Sequence, residues 1–480
     1  MRIALRLCLC LLPLAASAAN PRSVALTIQE NGNAQISETQ DIAPPGPDGL
    51  LRIAPLPETL WPASVTATPI ERGETFDILS QRFAYDLLDD TALFRAYRGD
   101  SITCRKGADS FAGRLASLPD FSSAAPSLVL AAEGQPVRFV PNILDLDSIE
   151  FPARPDLARA PALVWQTAPG QAAPAAVQLN YAASGLFWTA SHEAILSDDA
   201  RSIALSTRIH LQNRTVRDFA NARIRLALSE KGQFAPLVPD PGDPRAAKAP
   251  ALRYSADGKS WIPERTAASA AIVATYDLPK PLSLPAGADI FASLASAPSV
   301  SVETRLVYDG VRFDRYQRNR RTDWNLGTES SPAVDTVLSF SCPKAAPLPP
   351  GEFRLLKGQA EQALEWIGTA WLPALMPRES ATLHLGPAAG LSGRRIRTGF
   401  TEIVPLKSSE ESFEITLENQ TPADQVITVI EHLYRGETHE ISAASAEHSP
   451  VDNDPHAIQF KVPLKAGARK SFTYTVRYTW

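Results

Sequence analysis

Proline occurs 41 times in the 480 residues of this chain, against 25 glycines, and no other feature limits its folding as much. Each pyrrolidine ring fixes φ and removes an amide donor, which excludes proline from helix interiors and central strands and confines it to edges and turns. Between the prolines lie short runs such as Val24-Ala25-Leu26-Thr27-Ile28, Leu50-Leu51-Arg52-Ile53 and Val137-Arg138-Phe139-Val140. A period near two with frequent turn residues is the pattern of strands. The predicted fold class is therefore all-β, made of antiparallel β-sandwich domains. One departure is Phe76 to Tyr97, where Ile78, Leu79, Phe83, Leu87, Leu88, Leu93, Phe94 and Tyr97 fall near helical spacing and predict one or two short helices in the amino-terminal region.

The amino terminus carries Arg2 and Arg6, then an apolar run rich in leucine, then Ala15-Ala16-Ser17-Ala18-Ala19. A basic start, an apolar stretch too short to span a bilayer and an A-x-A site form the layout of a secretion signal, with cleavage expected after Ala18. No later stretch approaches the ~20 apolar residues of a transmembrane helix, so none is expected once the signal is removed. The mature chain is expected to be exported, to the periplasm or beyond.

A chain of this length exceeds one hydrophobic core, which stops growing near ~250 to 300 residues. The expected division is a signal over 1–18, an amino-terminal β-rich domain over 19–167, and a Pro/Ala-rich linker over 168–176. A central β-rich part over 177–395 and a carboxy-terminal sandwich module over 396–480 follow. In that last module Phe413 to Leu417, Val426 to Tyr434, Ile458 to Val462 and Phe472 to Trp480 are strand candidates separated by polar turns. The segment Pro236 to Pro250 reads as a surface excursion.

The net charge of -5 argues against a nucleic-acid partner, which needs a sustained basic face. Two local clusters, Arg315, Arg318, Arg320, Arg321 and Arg394, Arg395, Arg397, read as solvated loops. Beyond the signal only Cys104 and Cys342 remain. In an oxidising compartment they are a disulfide candidate, worth about 5 kcal/mol for so long a loop in the chain-entropy account, or else two separately buried thiols.

Four segments, VQLNYAASGLFWTASHEAIL, IHLQNRTVRDFANARIRLAL, ITLENQTPADQVITVIEHL and KVPLKAGARKSFTYTVRYTW, resemble in that order the carboxy-terminal domain of bacterial mucoidy-inhibitor-like proteins, a domain of unknown function. FAYDLLDDTALFRAYRGDSIT and FVPNILDLDSIEFPARP are similar to the region that precedes it in the shorter members. No sustained heptads are present, so the resemblance is to the short form that lacks a coiled coil. It implies a β-rich fold and brings no catalytic residues.

Reactive constellations are sparse. His192-Glu193 lacks the second histidine of a helical zinc-protease motif. The loop from His448 to His456 gathers His448, Asp452, Asp454 and His456, a set able to hold a divalent ion, though its prolines and Asp/Asn residues equally describe a turn, the reading preferred. Asp89-Asp90, Asp145 with Asp147, and Asp198-Asp199 would have to meet across a cleft to act as acid and base, and each reads as a turn or strand-edge pair. No nucleophile elbow or phosphate loop occurs, and no cofactor is expected. The terminal SFTYTVRYTW puts Phe472, Tyr474, Val476, Tyr478 and Trp480 on one face; it reads as a sandwich strand, with the last strand of an outer-membrane barrel as the alternative. The expected function is a non-catalytic binding or scaffolding component of the cell envelope, with an envelope protein or glycan as partner. An interdomain hydrolase of glycans or peptides and an outer-membrane barrel component are the alternatives.

Overall fold

The computed structural model describes residues 21–46, 48–71, 76–132, 134, 136–169, 171, 173–229, 253–254, 261–262, 272–311, 323–358, 364–451 and 454–480. The expected signal with its cleavage point after Ala18, the arginines 315–321 and the 236–250 excursion lie outside them. The fold is all-β, with mostly antiparallel sheets, and each sheet is an open path of strands. Of the predicted helical region, Asp90–Ala96 forms the one α-helix among the described residues, capped by the Asp89 carboxylate accepting from the amide of Ala92 at 2.7 Å. The other half, Ile78–Ala84, is a strand, because it pairs along Ala162–Thr167 and tertiary pairing overrides local spacing.

The chain divides into two compact units, Met1–Trp188 with His210–Phe291, and Thr189–Ile209 with Ala292–Trp480. These units are divided at other points than the expected domains. Strand Ala176–Ser184 follows the 168–176 stretch and pairs along its whole length with Asn33–Asp41, so that stretch lies inside the first unit. The expected break after residue 395 falls within the single strand Ser380–Val404, held along its second half by Ser408–Asn419.

In the first unit Ser23–Gln29 runs parallel to Phe219–Ser229 and antiparallel to Asn33–Asp41, with Ile272–Asp277 added antiparallel to Phe219–Ser229. Val24, Leu26, Ile28, Ile36, Val177, Leu179 and Leu226 fill its interior. A five-stranded sheet, a three-stranded sheet and the two-stranded pair Arg253–Tyr254 with Trp261–Ile262 also belong to it. In the second unit Asp289–Tyr308 runs parallel to Gln425–His432 and antiparallel to Ala333–Ser341, with Asp454–Leu464 added antiparallel to Gln425–His432. The third neighbour also corresponds: Asn33–Asp41 is followed across the sheet by Ala176–Ser184, and Ala333–Ser341 by Ser380–Val404.

Matching pairing order in two units marks an internal duplication, and side-chain detail supports it. Asn213 Nδ2 donates to the carbonyls of Arg217, Leu284 and Pro285 at 2.7, 3.1 and 3.0 Å, and its Oδ1 accepts from the amide and hydroxyl of Thr215. Asn419 Nδ2 donates to the carbonyls of Ala423, Leu464 and Lys465 at 2.8, 3.4 and 3.1 Å, and its Oδ1 accepts from the amide and hydroxyl of Thr421. The turns they grip are Pro285-Ala286-Gly287-Ala288 and Lys465-Ala466-Gly467-Ala468. Their glycines sit at φ +66° and +68°, where a side chain would strain the backbone. Asp218 and Asp424, five residues beyond each asparagine, accept from the amides of Ala286 and Ala466.

The terminal strand Arg469–Thr479 buries Phe472, Tyr474, Val476 and Tyr478, and Trp480 packs on the same core while donating to the carbonyl of Arg435. Removing Val476 to Trp480 is expected to lower the thermal midpoint sharply, and an unchanged melting curve would refute the packed-strand account.

Either asparagine, replaced by alanine, strands several buried polar groups, at about 1–3 kcal/mol each when none is compensated. Asn213→Ala and Asn419→Ala should therefore each lose roughly 2–4 kcal/mol by denaturant titration. A loss below about 1 kcal/mol in either would show that its loop holds without the amide.

Candidate functional site

Among the charged side chains that sequence assigned to solvent is one that is fully buried. Arg394, Arg395 and Arg397 lie on strand Ser380–Val404 and not in a loop. Arg395 is buried; its Nε donates to Glu431 Oε2 at 2.8 Å, one Nη donates to the Gly327 carbonyl, and the guanidinium stacks 3.9 Å from the centre of the Phe413 ring. Tyr474 donates to the same Glu431 oxygen at 2.5 Å. Beside it, Glu411 accepts from Arg435 at 3.0 Å, Arg397 at 3.1 Å and Tyr434 at 3.3 Å. In the first unit Glu38 receives Arg217 at 2.9 and 2.5 Å, Gln40 at 2.8 Å and Tyr181 at 3.2 Å.

Burial is the largest single influence and works against the Arg395 charge, but Glu431, Tyr474 and Tyr434 together outweigh it and hold the guanidinium above its ordinary value. Burial, then Glu431, pushes the Tyr474 hydroxyl far up. These groups are enclosed in core, so they reach no solvent-borne substrate. A carboxylate taken out of water is tolerated only when paired and hydrogen-bonded, and removing one partner of such a pair costs about 3–5 kcal/mol. Their role is to fix which strands meet.

The remaining candidates occupy structural positions. Asp145 accepts from the Asn142 side chain, Asp147 from the amide of Gly107, and Asp199 from Ser197 and the amide of Arg201, contacts that pull the Asp199 carboxyl below its usual range. Along with the capping residue Asp89, these carboxylates close turns and do not converge. In the proposed metal loop Asp452 lies outside the described residues. His448 packs against Phe460 and His456 against His439, and Asp454 accepts from the amide of His456. Among the described residues no three His, Cys, Asp or Glu side chains gather as metal ligands. The strands Ser449–Val451 and Asp454–Leu464 pair as a tight hairpin, whose geometry turns the two imidazoles to different neighbours.

Both cysteines are free and buried, in place of the bridge considered above. Cys104 packs among Phe94, Ile102, Leu115 and Leu128, and Cys342 among Leu338, Phe340, Leu348 and Leu375. Burial raises both thiols.

Among the exposed large apolar side chains, two tryptophans lie on one sheet face. Strand Leu364–Leu372 ends the path of the second unit's largest sheet and pairs with Gly351–Gly358, which in turn runs parallel to Leu186–Leu196. Leu355 opposes Gly368 while the next residue, Leu356, opposes Trp366, leaving Ile367 as a bulge. Five residues apart on a regular strand, Trp366 and Trp371 would point to opposite faces; the bulge puts them on one. They are 58% and 69% exposed. Across the face Trp371, Glu352 and Ser191 form one row, Thr369, Arg354 and Glu193 the next, and Trp366, Leu356 and Ile195 the third. Arg354 clasps Glu352 at 2.8 and 3.1 Å. On the reverse side Gly368 lies so close to the neighbouring backbone that a Cβ would meet the Leu385 carbonyl oxygen at 2.2 Å. Sequence reading passed over both tryptophans; the signal available was the small residue Gly368 after a β-branched one, a bulge composition.

Neither a known protein-family model nor a curated protein matches the chain.

His192, the remnant of the zinc-motif search, is buried: Nε2 donates to the Pro349 carbonyl at 2.9 Å and Nδ1 accepts from the Thr207 hydroxyl at 3.0 Å. Burial pushes its pKa from 6.5 down to about 4. The unfolded chain thus takes up a proton near pH 6.5 that the folded chain refuses until about pH 4. Its contribution to stability is whole above the first value and declines between the two, by roughly 3 kcal/mol in all. The stability difference between the wild type and His192→Gln should shrink as pH falls through that window. A difference independent of pH would mean that the folded imidazole takes up its proton as readily as the unfolded one.

Proposed function

We propose that this chain is an exported, non-catalytic binding or scaffolding component of the bacterial cell envelope, acting through an exposed sheet face. The observation that carries the reading is the pair of indoles held outward on strand Leu364–Leu372. Single exposed apolar residues are ordinary on a protein surface, but aromatic residues gathered on one face of a sheet mark contact surfaces. In the two rows at the Trp371 end the other outward-facing groups, Glu352, Arg354, Thr369, Ser191 and Glu193, are polar, as at the rim of a recognition surface, while Leu356 and Ile195 continue the apolar surface beside Trp366. The buried carboxylates Glu38, Glu411 and Glu431 are each bound to an arginine within the core, away from any solvent-borne substrate, and that supports a binding role over a hydrolytic one. The resemblance to mucoidy-inhibitor-like proteins is kept as the proposed relationship, since its quoted segments include Asn213, Asn419 and the turn 465–468 on which the duplicated units are built.

In-cell photo-crosslinking tests this. A benzoylphenylalanine at position 371 is expected to join an envelope component, whereas one at the exposed Lys470, on a different strand, is not. Absence of any adduct at 371, or equal labelling from both positions, would overturn the assignment of this face as the contact surface.

A further inference from the structure

We infer that the Trp366 and Trp371 face binds a glycan chain whose sugars are joined through equatorial bonds, a deduction that rests on the binding role proposed above. The side chains opposite the two indoles, Leu356 and Glu352, are four residues apart on a regular strand, which sets the tryptophans roughly 13 Å from each other. That interval brackets more than one pyranose ring, and both side chains project from the same face of the sheet because the bulge at Ile367 restores their facing.

The chemistry between the indoles decides the occupant. An indole face is electron-rich and apolar and attracts weakly polarised C–H groups, such as those on the flat side of an equatorially linked sugar. Between the two rings lies the row Thr369, Arg354 and Glu193, and beside Trp371 lie Ser191 and Glu352, the latter clasped by Arg354; together they offer both donors and acceptors. Within that strip one cation is matched by a carboxylate at 2.8 Å and a single further carboxylate remains, so no strong charge selects a polyanion or a polycation. A neutral polyhydroxylated chain matches it in charge, since its hydroxyls both donate and accept and its ring faces cover the indoles. An apolar protein segment or the core of a lipid layer would instead bury Arg354 and Glu352 against hydrocarbon, which is costly.

The face is fixed rather than adaptive. Phe353, Leu355 and Leu372 on the inner side of the two strands are fully buried, and Gly368 locks against the Leu385 backbone. Little ordering of protein is therefore needed on binding, and both indoles should contribute directly.

The test uses the purified full chain with cellohexaose and chitohexaose as probes, maltohexaose as the axially linked comparison, and phosphatidylglycerol vesicles as the membrane comparison. Tryptophan fluorescence and calorimetry should report saturable binding of at least one equatorially linked probe and weaker binding of maltohexaose. Trp366→Ala and Trp371→Ala should each weaken it by roughly tenfold, as for an aromatic anchor. Arg354→Ala should weaken it while leaving the stacking quench in place. Unchanged melting curves of the variants would exclude a folding defect, which is expected to be absent because both indoles are exposed. Binding to vesicles in preference to sugars, equal affinity for all three sugars, or affinity unaltered in both tryptophan variants would each overturn the inference. Failure of every sugar while position 371 still crosslinks an envelope protein in cells would defeat the glycan assignment and leave the binding role standing; failure of both would defeat both.

Discussion

The side-chain amide of asparagine, used twice, is the contact on which this architecture depends. Asn213 and Asn419 each end a long strand and each satisfy, with one planar group, the carbonyls of their own turn and of a second turn far along the sequence. A backbone group buried in a turn must find a partner, and here one side chain serves three acceptors and two donors at once. Asp218 and Asp424 then hold the second turn from its other side. In both units the chain thereby enters its next strand in one direction only, and the parallel pairing of Phe219–Ser229 and of Gln425–His432 becomes possible. Parallel neighbours need a long connection, and the asparagine fixes where that connection begins and ends.

Buried carboxylates add a second level of specification that differs between the units. The first has Glu38 with Arg217, Tyr181 and Gln40; the second has Glu411 and Glu431 with Arg435, Arg397, Arg395 and two tyrosines. Such pairs are seldom worth more than well-packed hydrocarbon of the same volume, but a strand shifted by one residue would leave a charge buried and alone. The ionic groups therefore tell against wrong registers more than they favour the right one. This explains how units of one topology carry unlike networks: the duplication fixes the turns, and each interior sets its own register.

Much of the strand pattern was legible from residues alone, because alternation and proline punctuation act locally. Strands at Val24 to Ile28, Phe413 to Leu417, Ile458 to Val462 and Phe472 to Trp480 needed no knowledge of partners. The boundaries were not legible, since nothing in Ala168 to Ala175 reveals that Ala176–Ser184 returns to Asn33–Asp41, a long-range pairing. Nor was Arg395 legible as a core residue: flanked by other arginines it reads as solvated, and only Glu431, far along the sequence, accounts for its burial. The duplication was present in the sequence as Asn-x-Thr followed by aspartate, and as Ala-Gly-Ala turns. Its meaning depends on contacts between the two motifs, and sequence spacing does not show such contacts. The tryptophan face was hidden for the opposite reason, since its cause is a single bulge that reverses the parity on which strand reading relies.

That bulge also links the candidate site to the stability of the sheet. Leu372 and Ala370 pack inward, and with Gly368 against the Leu385 backbone the strand has no freedom to rotate Trp371 into the core. Trp366 gains its outward direction only because Ile367 is left over in the pairing and leans onto the same core. Exposing two indoles is unfavourable in water, and their hydrophobic surface alone would draw them inward. What opposes this is the fully occupied interior on the other side, where neither ring has space to enter without displacing Phe353 or Leu355. The outward aromatic surface is thus a consequence of tight packing beneath it, and a ligand that covers the indoles recovers apolar contact that the fold itself cannot supply.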